Sequence, residues 1–373
     1  MKIGILVTIG NGFGKKGFYQ SQEIGLGKEL VSNGHTVIVF KGVPDGDSFK
    51  KERVKDAFWI YYIPMKHIGI HGYISLKYLE VEEKLDCMLC FSDTQIFIKH
   101  IYNFCEKNKI VFIPYVGISH SSSKSFKAKF LNFLFEKRTL PIYKKSVVLA
   151  KTEGVKEELE SLGVKNCRLV PVGLNRSVLK LDFKEYDRIK LRKEFGFNEE
   201  DIIINFIGRL QSEKRPLDCI EIFNKLVQKS DKTYKLLMVG SGYEKENILK
   251  LIEKYNLTEK VVLFDKIPYN DMWKIHYISD FFVALCSREI FGMALIEAVV
   301  YLSSVAAIKA DGPNSILRNL EGHKLCNDLE EVFQWISGDK PNETVLEKDS
   351  EYVLDKFSWN ICVKEIEDIV QGR

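Results

Sequence analysis

The sequence predicts an α/β chain made of two successive doubly wound units. Three observations carry that expectation. Short apolar, β-branched runs alternate with helical stretches along most of the chain. The alternation begins afresh near Ile202, after a stretch at 174–200 rich in Lys, Arg, Asp and Glu. A length of 373 residues suits two domains, at roughly 100–200 residues each.

The elements follow in order. Ile3 to Ile9 is apolar and ends in the turn Gly10-Asn11-Gly12-Phe13-Gly14. The run is short for a signal-peptide core and no small-residue cleavage pattern follows it, so a buried first strand is expected. Ile24, Leu26, Leu30 and Val31 predict a helix over 21–33, stopped at Gly34, and Thr36 to Phe40 reads as the next strand. Strand-like runs recur at 58–63, 87–91, 110–116, 146–150 and 168–172. The second cycle has strands at 202–208, 235–240, 261–264, 281–285 and 305–308, with a helix near 216–229. The expected architecture is two facing Rossmann-like domains with a cleft at the carboxyl ends of their strands. The domains span 1–175 and 176–356, and 357–373 packs back on the first.

Composition narrows the class. Apolar residues are 45% and charged residues 28%, which excludes a disordered or collagen-like chain. The net charge of +4 is too mild to indicate a nucleic-acid binder, and none is expected as a partner. That average hides an asymmetry. Residues 1–175 carry 26 Lys+Arg against 17 Asp+Glu, whereas 176–373 carry 29 against 34. The eight cysteines are scattered, which suits a reducing cytosol. Cys87 and Cys90 form a lone C-x-x-C and read as plain strand cysteines. The apolar run at 290–308 approaches the length of a membrane span, but Glu297 sits within it. A buried helix followed by a buried strand is expected there.

Three segments bear on chemistry. The turn at 10–14 reads either as a phosphate contact through its glycines or as a bare tight turn. Its spacing does not match the dinucleotide fingerprint, and no acid closes the second strand. In Gly208-Arg209-Leu210-Gln211-Ser212-Glu213-Lys214, Arg209 and Lys214 follow a strand, as a donor fork and a point charge suited to a diphosphate. In Glu289-Ile290-Phe291-Gly292-Met293 through Glu297, two acids are separated by seven residues around a helix start whose free N–H groups would face an anion. The span between them, on the order of 8–12 Å, suits a ligand with hydroxyls at each end and phosphates between. That describes a nucleotide sugar. Glu297 in so apolar a helix calls for a partner, because burial without one is costly.

These residues resemble the GT-B glycosyltransferases, and in particular their family-four group of retaining enzymes. The likeness runs along most of the chain. It includes the Gly turn, S-N-G-H-T-V-I-V, V-G-L-N, F-I-G-R-L-Q-S-E-K, L-L-M-V-G-S-G, V-V-L-F-D-K-I, the two glutamates and F-S-W. The resemblance implies that Arg209 and Lys214 bind the donor diphosphate and stabilise the departing charge. It implies that Glu289 holds donor-sugar hydroxyls and Glu297 the ribose hydroxyls. Amides around Phe291, Gly292 and Met293 would bind phosphate, backbone near Lys266 and Ile267 would meet the base, and Gly12 and Gly14 would approach the donor. No cofactor or metal is implied beyond a UDP- or GDP-sugar substrate, and Asp45-Gly46-Asp47 reads as a polar turn.

The sequence also departs from that family. His120 stands near the position of a His on the acceptor side, and a surface-loop His is an equal reading. Ser92 replaces a His that commonly ends its strand, Leu302-Ser303-Ser304-Val305 replaces G-x-P-V, and Ser315 replaces a common Glu. Sugar and acceptor specificity therefore stay open. Residues 124–145 hold seven basic residues, one acid and five aromatics. They read as a segment that docks on an anionic membrane to reach a lipid-linked glycan acceptor, or as a core-packed helix with a solvated basic face. The expected enzyme is a cytoplasmic retaining transferase of surface polysaccharide synthesis, peripheral on the inner membrane face. A sugar-nucleotide epimerase of the same fold and an inactive partner subunit are the alternatives.

Overall fold

The computed structural model describes residues 1–8, 21–43, 47–68, 71–93, 95–118, 126–176 and 178–372. The chain divides into two compact units.

The first unit opens with β1 (Lys2–Val7), α1 (Gln22–Ser32), β2 (Thr36–Val43), β3 (Lys50–Lys55), β4 (Phe58–Ile68) and β5 (His71–Ile74). It continues with β6 (Cys87–Phe91), α2 (Ile98–Lys107), β7 (Val111–Val116), α3 (Phe126–Leu134), α4 (Leu140–Tyr143), β8 (Val148–Ala150), α5 (Glu153–Ser161) and β9 (Cys167–Leu169). Its sheet runs β3-β4-β2-β1-β6-β7-β8-β9. The strands are parallel except that β3 and β5 lie antiparallel to β4. The central strands bury both faces, so they read as continuous apolar runs rather than as alternating ones. Cys87 and Cys90 are such positions in β6, free thiols whose burial pushes Cys87 up to about 12.

The second unit contains α6 (Arg188–Glu194), β10 (Ile202–Ile207), α7 (Pro216–Lys229), β11 (Tyr234–Val239), α8 (Lys245–Lys254), β12 (Val261–Phe264) and α9 (Tyr269–Ile278). It closes with β13 (Phe281–Ala284), α10 (Met293–Val300), β14 (Ser304–Ile308), α11 (Asp311–Leu317), β15 (Lys324–Cys326), α12 (Leu329–Ser337) and α13 (Glu343–Lys356). Its sheet is wholly parallel, in the order β12-β11-β10-β13-β14-β15. Counted from β10, that is 3-2-1-4-5-6, the dinucleotide-fold order, whose switch point lies between β10 and β13. The apolar run at 290–308 is α10 followed by β14, divided at Leu302, which takes φ +64°. Among the described residues no helix is long and apolar enough to cross a membrane.

Charge organises the amino edge of this sheet. Asp280, just before β13, accepts from Arg188 at 2.9 Å, Arg192 at 2.7 Å and the Ile203 N–H at 2.9 Å. The charged stretch after the first unit is thus a helix pinned to the second sheet rather than a solvated linker.

After α13 the chain returns to the first unit as α14 (Trp359–Val370). Leu174 N–H donates to Phe357 C=O at 2.6 Å. The backbones approach so closely that a Cβ on Gly173 would lie 2.4 Å from the Trp359 nitrogen. Trp359 is buried, and His35 Nε2 meets Glu367 at 2.8 Å.

Candidate active site

The site residues of the second unit leave the carboxyl ends of β10, β12 and β13. After β10, the loop carrying Arg209 and Lys214 runs against the Gly240-Ser241-Gly242 turn that follows β11. Leu210 N–H donates to Ser241 C=O at 2.9 Å, and a Cβ on Gly240 would lie 1.8 Å from the Gly208 carbonyl oxygen. Only glycine allows that approach. Tyr243 fixes the loop tip, its hydroxyl accepting from the Ser212 N–H at 3.1 Å. Arg215 turns the chain into α7 with φ +57°, ahead of Pro216 at the first helical position.

Lys214 Nζ donates to Glu289 Oε2, so two residues singled out from separate segments meet. Arg209 does not join them: its guanidinium pairs with Glu213 one turn on, largely exposed. Glu289 is set by its own loop, whose carbonyl accepts from Gly312 N–H at 3.0 Å. Gly312 packs so tightly that a Cβ there would lie 2.3 Å from the Phe291 carbonyl oxygen. Gly292 takes φ +95° and begins α10 without a side-chain cap hydrogen bond of its own. Phe291 is buried, while Gly292 and Met293 are partly exposed.

Glu297 lies inside α10 and is buried. Burial pushes its carboxyl up to about 7, against the opposing effect of Tyr269, whose hydroxyl donates to Oε1 at 2.8 Å. His276 is fully buried with Nε2 3.9 Å from Glu297 Oε2, and burial holds it neutral, down to about 3. The sequence reading missed Tyr269 and His276. Their only signal was their place on the helix after β12, which cannot be matched to α10 without the fold. Lys266, exposed, and Ile267, buried, follow β12. Gly12, Gly14 and His120 lie outside the described residues, as do Asp45 and Gly46. Among the described residues no cluster of three or more His, Cys, Asp or Glu side chains could hold a metal ion.

The arrangement offers a cation for an anionic ligand, a carboxylate beside it for hydroxyls, an open helix start and a buried acid one turn inside that helix. Residues 187–332 match the family described as glycosyl transferases group 1. The chain is 25% identical over 189 residues to N-acetyl-alpha-D-glucosaminyl L-malate synthase of Bacillus anthracis, a match spanning 49% of each chain. It thus covers about half the length of that relative. The fold is that of sucrose-phosphate synthase from Thermosynechococcus elongatus, with a TM-score of 0.78 at 16% identity over 100% of this chain and 98% of that one. It is also that of Anabaena HepE in complex with UDP and glucose, with a TM-score of 0.69 at 12% identity over 100% of both chains. The chain has the GT-B fold, and its residues 187–332 match the family of glycosyl transferases group 1.

Proposed function

We propose that the chain is a retaining glycosyltransferase that moves a sugar from a UDP- or GDP-linked donor onto a glycan acceptor. The observation that carries this is the Lys214–Glu289 contact beside the open start of α10, at the switch point of the second sheet. A donor diphosphate would draw the Lys214 ammonium away from Glu289, leaving that carboxylate to accept from donor-sugar hydroxyls. Arg209 would exchange Glu213 for the diphosphate. The Phe291, Gly292 and Met293 amides would face phosphate, Glu297 the ribose, and backbone at Lys266 and Ile267 the base. Positive charge where the leaving group gains negative charge stabilises the transition state. In a same-face displacement the acceptor hydroxyl would pass its proton to the departing phosphate oxygen, and His120 would stand beside the acceptor. The UDP bound by HepE makes a uridine donor the first to test.

The acceptor is proposed to be lipid-linked, in surface polysaccharide synthesis at the inner membrane face. The support is α3, where Phe126, Phe130 and Phe133 are all exposed at positions i, i+4 and i+7 of one face. Lys129, Lys137 and Arg138 are exposed beside them. Aromatic and basic groups together suit an anionic bilayer surface. Cosedimentation with anionic vesicles at low salt should exceed that with neutral ones, and equal recovery would sink the membrane reading. For the transferase itself, turnover of UDP- or GDP-sugars should be lost in Glu289→Ala and Lys214→Ala. Wild-type turnover in both variants would refute the site.

A further inference from the structure

Two Lys or Arg residues are buried among the described residues, Arg192 and Lys151. Arg192 is surrounded by acceptors: Asp280 at 2.7 Å and the carbonyls of Ile278, Glu199 and Asp201 at 2.7–3.0 Å. Lys151 has none. It is 6% exposed, and its ammonium lies 4.8 Å from the ring centroids of both Phe91 and Tyr115. Those rings meet edge to face at 5.3 Å. Among the described residues no hydrogen bond or ion pair satisfies its three N–H groups. Two other buried titratable groups of this unit differ: Glu23 is paired with Lys41 at 2.9 Å and His35 with Glu367 at 2.8 Å.

Among the described residues no carboxylate lies within ion-pair distance of Lys151. Cys362 stays a thiol, because burial pushes it well above its ordinary value. Asp93 turns its Oδ1 to the Gly117 N–H at 2.6 Å. Tyr115 stays a phenol, raised by burial, and its hydroxyl is itself buried without a partner. Two aromatic faces attract an ammonium but offer no oxygen lone pairs, so its N–H groups are left to solvent or to a ligand. Lys151 also has a defined position. It follows β8 at the carboxyl edge of a parallel sheet, where ligands of such sheets bind. It immediately precedes Thr152, which caps α5 by accepting from the Val155 N–H at 3.3 Å.

We infer that Lys151 anchors an anion subsite of the first unit, which takes a phosphate or carboxylate group of the acceptor. The rings hold the ammonium from one side and leave its N–H groups for the ligand's oxygens. Assigning the anion to an acceptor rests on the transferase reading; the binding does not.

The test is a thermal-shift and calorimetric titration of the full chain with UDP present at saturation, so that the donor site is occupied. The probes are glucose 6-phosphate, inorganic phosphate, malate and glucose. A phosphate or carboxylate probe should stabilise the wild type and neutral glucose should not. Lys151→Met should weaken that probe tenfold or more, the size of one charge-assisted hydrogen bond, and Lys151→Arg should stay within a few-fold. An equal response in wild type and Lys151→Met overturns the subsite, as does a wild type that answers none of the anions. UDP titrated alone reports the donor site. Its failure beside a Lys151-dependent anion response would sink the donor reading and leave this one standing. Should Lys151→Met not fold, reductive methylation of wild-type Lys151, followed by mass spectrometry, decides. Slower labelling with glucose 6-phosphate or malate supports the subsite, and unchanged labelling overturns it.

Discussion

The Lys214 ammonium donates to Oε2 of Glu289, joining the loop after β10 to the loop after β13 across 75 positions of sequence. Each side chain is about one-fifth exposed, so the pair is neither a solvated surface bridge nor a sealed one. In that setting each partner holds the other in place until a stronger ligand arrives.

Lys214→Met should therefore lower UDP affinity tenfold or more, since charge-assisted bonds of about 1.5–3 kcal/mol disappear. Glu289→Gln should leave UDP affinity within a few-fold and abolish sugar turnover. Calorimetry beside a donor-hydrolysis assay separates the two. UDP binding by Lys214→Met at wild-type strength would remove Lys214 from the diphosphate site.

Glu297 makes stability depend on pH with a definite sign. Its carboxyl ionises near 7 in the fold and near 4.5 in a free chain, so the unfolded state loses its proton first. The contribution to stability is greatest below about pH 4.5, falls as the pH rises to about 7, and is level above that. The full swing is on the order of 3 kcal/mol. Glu297→Gln should flatten this segment of a denaturation series run from pH 5 to 8. A slope as steep as the wild type's would show that another group titrates there.

The opposite sign holds for His276 and His323, both pushed down to about 3 by burial. Their contribution is complete above pH 6.5 and is lost as the pH falls toward 3, because the unfolded chain takes up their protons first. Replacing either by Gln or Asn should shallow the acid limb of the same series. An unchanged limb in both variants would assign it to other groups.

Gly312→Ala should damage the site from a distance. The new Cβ would stand 2.3 Å from the Phe291 carbonyl oxygen, so the loop carrying Glu289 must move. A loss of 1–3 kcal/mol is typical of such overpacking. Turnover should fall more than UDP affinity. Full activity at wild-type stability would show that the loop has room to spare.

Asp280→Ala leaves Arg188 and Arg192 beside an apolar hole at the amino edge of the second sheet. Breaking a buried pair of this kind costs about 3–5 kcal/mol. Denaturant melts should show the loss, whereas the UDP affinity of the molecules still folded should hold. A small stability change would mean that the backbone carbonyls of Tyr277, Ile278, Glu199 and Asp201 hold the two guanidiniums without it.

Much of this was legible in the residues. The strand at 202–207 and the helix at 216–229 declare themselves, because buried parallel strands and amphipathic helices each have a periodic signature. β3 does not: Lys-Lys-Glu-Arg-Val-Lys is a charged edge strand without a buried face. Lys214 and Glu289 could each be named as candidates from their loops. Their pairing could not, since contact across 75 residues belongs to the tertiary fold. The partner that Glu297 needed was foreseen as a requirement, but its identity as Tyr269 was not. The pairing of Arg209 with Glu213, four positions on, was not anticipated from the sequence.

The close approach of Gly173 to Trp359 bears on the order of synthesis. The second unit is continuous from Arg176 to Lys356, whereas the first is assembled from both sides of it. A ribosome therefore delivers everything the second unit needs before it delivers α14, and the seat of Trp359 stands open meanwhile. A nascent chain released between Lys356 and Trp359 would carry a finished second unit and a first unit with its apolar side unsealed, a substrate for chaperones and proteases.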